Sequence, residues 1–200
     1  MGRLKSICMA MALLLPVFLP AAAQAVETKA SYALLLDAET GVTLFEKNAD
    51  ARMSPASMSK LMTVLMAFEA LESGAVTGDE EFFVSDDAWR RGGAASGGST
   101  MFLKARSRVS VMDLLRGVII QSGNDACIAL AEGLAGSEPA FAELMTERAQ
   151  ELGMTRSSFV NSTGLPEPEH KTTARDLAIL ARQLINHHAD YYRLFSERDF

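Results

Sequence analysis

The chain reads first as alternating and then as helical. Tyr32 to Asp37 is an apolar run and Val42 to Glu46 alternates. Asp37-Ala38-Glu39-Thr40-Gly41 between them is turn-rich, which predicts a β-hairpin. From Pro55 the apolar residues Met58, Leu61, Met62, Val64, Leu65, Met66 and Phe68 go all the way round a helix. A helix that is apolar on all sides is a buried one. Ser54 is placed as its N-cap and Pro55 as its first residue, where a missing N–H costs nothing. It runs to about Leu71 and stops near Ser73-Gly74.

Residues 79–109 are mixed, with a glycine-rich stretch from Arg91 to Ser99 that reads as a flexible loop. It is a poor phosphate cradle, because no Gly-Lys-Ser/Thr signature follows and no clear strand precedes it. Ser110 with Asp113 three residues on forms a capping-box pattern for a second helix, whose apolar run ends at Gln121-Ser122-Gly123-Asn124. Further helices are predicted from Asp125 to Leu134, from Ser137-Glu138-Pro139 to Gly153, and from the Thr173/Asp176 capping pattern to about His187. Residues 158–166 read as loop or extended chain. A strand pair followed by many helices points to an α+β class, with a sheet that two good strands leave unfinished.

Composition changes this picture little. Of 200 residues, 48% are apolar, enough for a core, and the net charge of −6 gives no electrostatic footprint for nucleic acid. The N-terminus adds more. Arg3 and Lys5 precede an apolar run from Ile7 to Leu19, then Pro20 and Ala21-Ala22-Ala23-Gln24-Ala25. That reads as a secretory signal peptide over residues 1–25, cut after Ala25, with one domain over 26–200. The run is shorter than the roughly 20 residues a membrane span needs, and Pro16 and Pro20 interrupt it. Cleavage would remove Cys8 and leave Cys127 alone, so no internal disulfide is expected; its apolar neighbours make it a buried small residue.

Two segments carry chemistry. Between Met53 and Phe68 the sole charged residue is Lys60. A lysine in a buried helix is expensive unless it is paired or loses its proton, and desolvation favours the neutral amine, a base. Ser57 lies three residues earlier, on the same face and one turn nearer the N-terminus. Nucleophile and base are then within reach of each other, at a helix end that favours developing negative charge. Ser-x-x-Lys alone is weak, since composition gives roughly one chance match per few hundred residues. Ser122-Gly123-Asn124, set between two apolar helices, brings a hydroxyl and an amide to a tight turn, although an isolated tripeptide of this kind is as readily a plain helix-capping turn. The histidines offer no rival: His170, His187 and His188 accompany no Gly-x-Ser-x-Gly elbow, and no Cys/His spacing suggests zinc.

Together the segments resemble a family. Pro55-Ala56-Ser57-Met58-Ser59-Lys60-Leu61-Met62-Thr63 is similar to the first motif of low-molecular-mass penicillin-binding proteins, the serine-type D-Ala-D-Ala carboxypeptidases. Ser122-Gly123-Asn124-Asp125-Ala126-Cys127 is similar to their second. Leu36-Asp37-Ala38-Glu39-Thr40-Gly41, Met101-Phe102-Leu103 and Asn161-Ser162-Thr163-Gly164-Leu165 extend the resemblance over nearly all of residues 30–200. It implies a β-lactamase/transpeptidase-like fold, an antiparallel sheet with an all-helical subregion. The family's third motif, Lys-Thr-Gly on a sheet strand, has no match. Lys171-Thr172-Thr173 lacks the glycine and opens a helix. The fold is therefore expected to be incomplete at the C-terminus, the chain an N-terminal portion of a longer protein, and this portion alone poorly active.

The resemblance also implies a mechanism. Ser57 attacks the carbonyl between two D-alanines of a peptidoglycan stem pentapeptide, Lys60 takes the serine proton, Ser122 relays a proton to the leaving amine, and Asn124 binds the substrate backbone. The Ser57 backbone N–H would be one oxyanion donor; the second donor would come from the third-motif region. No metal or organic cofactor is implied. β-Lactams would acylate Ser57 as inhibitors. The protein would work in the periplasm or on the outer face of the cytoplasmic membrane, associating with the membrane only through a C-terminal region beyond residue 200. A β-lactamase of the same superfamily carries Asp in the middle of the second motif, where this chain has Gly123. That β-lactamase, an endopeptidase of the superfamily, and a non-catalytic penicillin-recognising or wall-binding module are the alternative readings.

Overall fold

The computed structural model describes residues 27–199; the expected signal segment and Cys8 lie outside them. The predicted hairpin forms from β1 (Ala33–Leu36) and β2 (Thr43–Lys47), antiparallel, with a register irregularity between Leu35 and Leu36. Asp37 makes the turn: its Oδ1 accepts from the Thr40 amide at 2.7 Å and the Thr40 hydroxyl at 2.6 Å, an Asx-type turn.

The helices follow the sequence pattern, with α1 Lys60–Glu72, α2 Val111–Gln121, α3 Asn124–Ala135, α4 Glu138–Glu151 and α5 Ala174–His187. Met62, Leu65 and Phe68 of α1 are fully buried among Leu114 and Leu115 of α2, Ile128 and Leu130 of α3, Phe141 and Met145 of α4, and Leu180 and Leu184 of α5. The all-round apolar helix is thus the centre of the helical layer. Among the described residues, no helix is long and apolar enough to cross a membrane.

The caps are where prediction and structure can be compared atom by atom. Ser110, Ser137 and Thr173 each accept from the backbone N–H three residues on, at 3.1, 3.3 and 3.0 Å. The two expected capping boxes are only half closed, because the acids turn elsewhere. Asp113 meets Arg116 at 3.4 Å, while Asp176 accepts from the Arg156 amide at 3.0 Å and the Ser157 hydroxyl at 2.8 Å. Ser54 is not the cap of the first helix. Its opening turn is a 3₁₀ segment, Ala56–Ser59, preceded by Pro55 in helical conformation and without a side-chain cap. Ala56 sits at φ +49°, so the chain enters the helix through a kink that leaves Ser54 outside.

The mixed region holds structure that local pattern did not announce. β3 (Glu81–Phe83) pairs antiparallel with β4 (Arg108–Ser110), Phe82 opposite Val109. A π-turn at Ala88–Gly92 runs into the segment read as a flexible loop, which itself contains a 3₁₀ turn at Ala94–Ser96. It is fixed by contact: a Cβ on Gly92 would run into the backbone nitrogen of Asp125, so only glycine lets the turn reach α3. After α5 the chain adds a short helix, α6 (Ala189–Tyr192), and a 3₁₀ turn (Arg193–Ser196). Tyr191 stacks on Phe68 at 5.3 Å, and Arg116 of α2 pairs with Glu197 at 2.8 Å, drawing this end back over the helical layer.

Candidate active site

The 3₁₀ turn sets the first pair. Residues three apart in a 3₁₀ turn lie directly above one another, closer in projection than in an α-helix. Ser57 and Lys60 are such a pair, and Lys60 Nζ donates to Ser57 Oγ at 3.3 Å. The two side chains differ in surroundings. Ser57 is exposed, whereas Lys60 is buried, 5% exposed. Burial lowers the Lys60 pKa from its ordinary value. Among the described residues no carboxylate forms an ion pair with it, so no salt bridge opposes that shift. The neighbouring Cys127 does not supply one, because burial pushes its thiol up to about 12.

Ser122 approaches from the other side. It ends α2 in the left-handed region, φ +53° and ψ +34°, a position that glycine or asparagine usually takes. That conformation turns the chain sharply into α3. Ser57, Lys60 and Ser122 line one cavity of about 140 Å³, with Leu61 and Val64 of α1, Val118 and Ile119 of α2, and Phe195. Asn124, the fourth expected site residue, is not in that lining. It is buried at the start of α3; its amide N–H donates to Ser99 O at 2.8 Å and its side-chain amide packs beneath Gly98.

Lys171-Thr172-Thr173 lies elsewhere, as its missing glycine suggests. Thr172 makes a backbone bridge with Met53, bonding at 2.8 and 2.9 Å, and Thr173 caps α5.

Several residues that shape the site were not singled out from sequence. Phe195 closes one wall of the cavity from 138 positions past Ser57, arithmetic that no local pattern encodes. Asp125, fully buried, accepts from the Thr100 hydroxyl at 2.6 Å and from the amides of Met101, Leu103 and Ala126 at 3.0 Å each. It ties residues 100–103 to the turn that carries Ser122. Its signal was available: an acid directly before the apolar run Ala126–Ala131. Ser59 and His170 form a buried contact under the Ser57 turn at 2.6 Å.

This arrangement, an exposed hydroxyl beside a desolvated amine with a second hydroxyl across a small cavity, suits activated-serine acyl transfer. Comparison with known proteins shows the family. The sequence profile of the D-alanyl-D-alanine carboxypeptidase family, Peptidase_S11, matches residues 20–200. D-alanyl-D-alanine carboxypeptidase DacC of Escherichia coli K12 is 44% identical over 168 residues, covering 84% of this chain and 42% of that protein. Penicillin binding protein 5 of Haemophilus influenzae superposes with a TM-score of 0.85 at 36% identity, over 89% of this chain and 51% of that one. Penicillin-binding protein D2 of Listeria monocytogenes, in its cefotaxime-bound form, does so with a TM-score of 0.75 at 29% identity, over 86% of this chain and 68% of that one. The chain spans less than half the length of the curated relative.

Proposed function

The chain belongs to the D-alanyl-D-alanine carboxypeptidase family, and from that premise we propose that Ser57 is the nucleophile with which the protein removes the terminal D-alanine from peptidoglycan stem peptides. The observation that carries this reading is the buried Lys60 amine, without an ion-pair partner among the described residues, 3.3 Å from the exposed Ser57 hydroxyl.

With the amine neutral, its lone pair faces Ser57 Oγ–H and takes the proton as Oγ attacks the carbonyl carbon of the penultimate D-alanine. The Ser57 N–H, at a helix start, stabilises the developing oxyanion. Collapse of the tetrahedral intermediate breaks the C–N bond; the leaving amine of the terminal D-alanine receives a proton through Ser122. Water then releases the acyl group from Ser57 by the reverse proton path. Asn124 would bind the substrate backbone; its burial beneath the 97–99 turn supports a fixed position for it. β-Lactams present the same carbonyl and would acylate Ser57, an expectation supported by the cefotaxime-bound relative. Peptidoglycan lies outside the cytoplasmic membrane, so the substrate calls for export, which the expected signal at 1–25 would provide.

The test is release of D-alanine from a stem pentapeptide by the product of the whole gene. We expect release by the wild-type protein and none above background by Ser57→Ala. Equal release by both would remove Ser57 from the mechanism.

A further inference from the structure

Beneath Ser57 lies a hydrogen-bonded chain whose direction is fixed at one end. The Val160 N–H can only donate, and it donates to His170 Nδ1 at 3.1 Å. The ring's Nδ1 is therefore an acceptor, and in the neutral imidazole Nε2 carries the proton. Burial pushes the His170 pKa down to about 4, which keeps the ring neutral at neutral pH. Nε2–H faces Ser59 Oγ at 2.6 Å, and the Ser59 hydroxyl donates onward to Ala56 O at 2.9 Å. Ser59 and His170 are both fully buried. His170 is held in turn by Phe159, edge-on at 5.5 Å, and by the paired backbone bonds between Ser158 and Lys171 at 2.8 and 3.0 Å.

The end point of this chain matters because of peptide geometry. The Ala56 carbonyl and the Ser57 N–H belong to one planar amide group, so they point in opposite directions and turn together. Aiming the carbonyl aims the N–H. The same amide is confined from a second side: a Cβ on Gly164 would run into Ala56 O and lie 3.1 Å from Ser57 N. Gly164 itself sits at φ +84°, and Ala56 at φ +49°. A non-glycine residue in that region needs its surroundings to hold it there. Two independent contacts thus converge on one amide, immediately before the nucleophile.

We infer that the Val160–His170–Ser59 chain, with Gly164, is a positioning device that aims the Ser57 N–H at the oxyanion formed during acyl transfer. Ser59 and His170 are positioning residues; neither touches the reacting atoms. The inference rests on Ser57 being the nucleophile, as proposed above.

A D-alanyl ester and its thionoester, with sulfur in place of the attacked carbonyl oxygen, provide the probe. Sulfur accepts hydrogen bonds poorly, so the ratio of the two acylation rates reports on the oxyanion donors and not on folding. Acylation of the whole-gene product would be followed for wild type, Ser59→Ala, Ser59→Thr, Gly164→Ala and Ser57→Ala. We expect Ser59→Ala to acylate the oxygen ester about tenfold more slowly, to change little with the thionoester, and so to lose most of the ratio. Ser59→Thr, which keeps the hydroxyl, restores it. Gly164→Ala lowers the same ratio and stands in if Ser59→Ala does not fold. A wild-type ratio in Ser59→Ala or Gly164→Ala would overturn the positioning role. Acylation persisting in Ser57→Ala would instead overturn the nucleophile assignment, and this inference with it.

Discussion

Lys60→Met is expected to lower the rate of β-lactam acylation by about a thousandfold, within the range that a positioned general base contributes. Methionine has nearly the reach of lysine and no charge. It therefore fills the same space between α1 and the cavity while removing the amine proposed to take the Ser57 proton. The fold should tolerate the change, because Lys60 is buried without a carboxylate partner among the described residues, and a desolvated amine is a cost that methionine does not carry. The pH dependence separates this from a packing effect. Burial lowers the Lys60 pKa below its ordinary 10.5, and the active form is the neutral amine. The wild-type rate should rise with pH and level off below pH 10.5, once the amine has lost its proton. The Lys60→Met rate should be low and flat across the same range. Time courses of labelling with fluorescent penicillin across pH measure both. A Lys60→Met rate within a few fold of wild type would show that another group takes the proton.

Asp125→Ala is expected to destabilise the protein by about 3–5 kcal/mol, the range for breaking a buried charged hydrogen-bond network. Its carboxylate accepts four hydrogen bonds in a fully buried place, two of them from the amides of Met101 and Leu103. Removing it leaves those donors without partners and unties residues 100–103 from the Ser122 turn. At about 2–4 °C per kcal/mol for a domain of this size, the melting temperature should fall by roughly 10 °C. Asp125→Asn should sit between, since its amide offers one acceptor but turns a second donor toward other donors. Calorimetry of the three proteins tests this, and a melting temperature for Asp125→Ala within about 2 °C of wild type would contradict it.

These two residues show what the sequence does and does not reveal. Ser57 and Lys60 were legible because the relevant geometry is local: three residues apart, in a segment whose hydrophobic pattern alone predicts burial. The caps at Ser110, Ser137 and Thr173 were legible for the same reason. The acids expected to complete two of the boxes were not, because Arg116, Arg156 and Ser157 compete for them, two of these from distant segments. The kinked entry through Ala56 was missed because Ser54 looks like a cap whenever the next residue is proline. What sets it is contact with Ser59 and Gly164, the latter more than a hundred residues on. The pairing of β3 with β4 joins three-residue strands across a long insertion, too short for any period to register. The histidines were read as offering no rival nucleophile system. His170 instead lies beneath the nucleophile's own turn, brought there by a bridge between Ser158 and Lys171.

The central claim is that acyl transfer passes through Ser57. It is tested most directly by peptide mapping of the whole-gene product after a brief exposure to penicillin. Cleavage after Arg52 and Lys60 gives a peptide, 53–60, that contains Ser54, Ser57 and Ser59. Fragment ions from that peptide should place one penicilloyl group on Ser57 and none on Ser54 or Ser59. A penicilloyl group on another residue, Ser122 included, or no covalent adduct at all, would contradict the account.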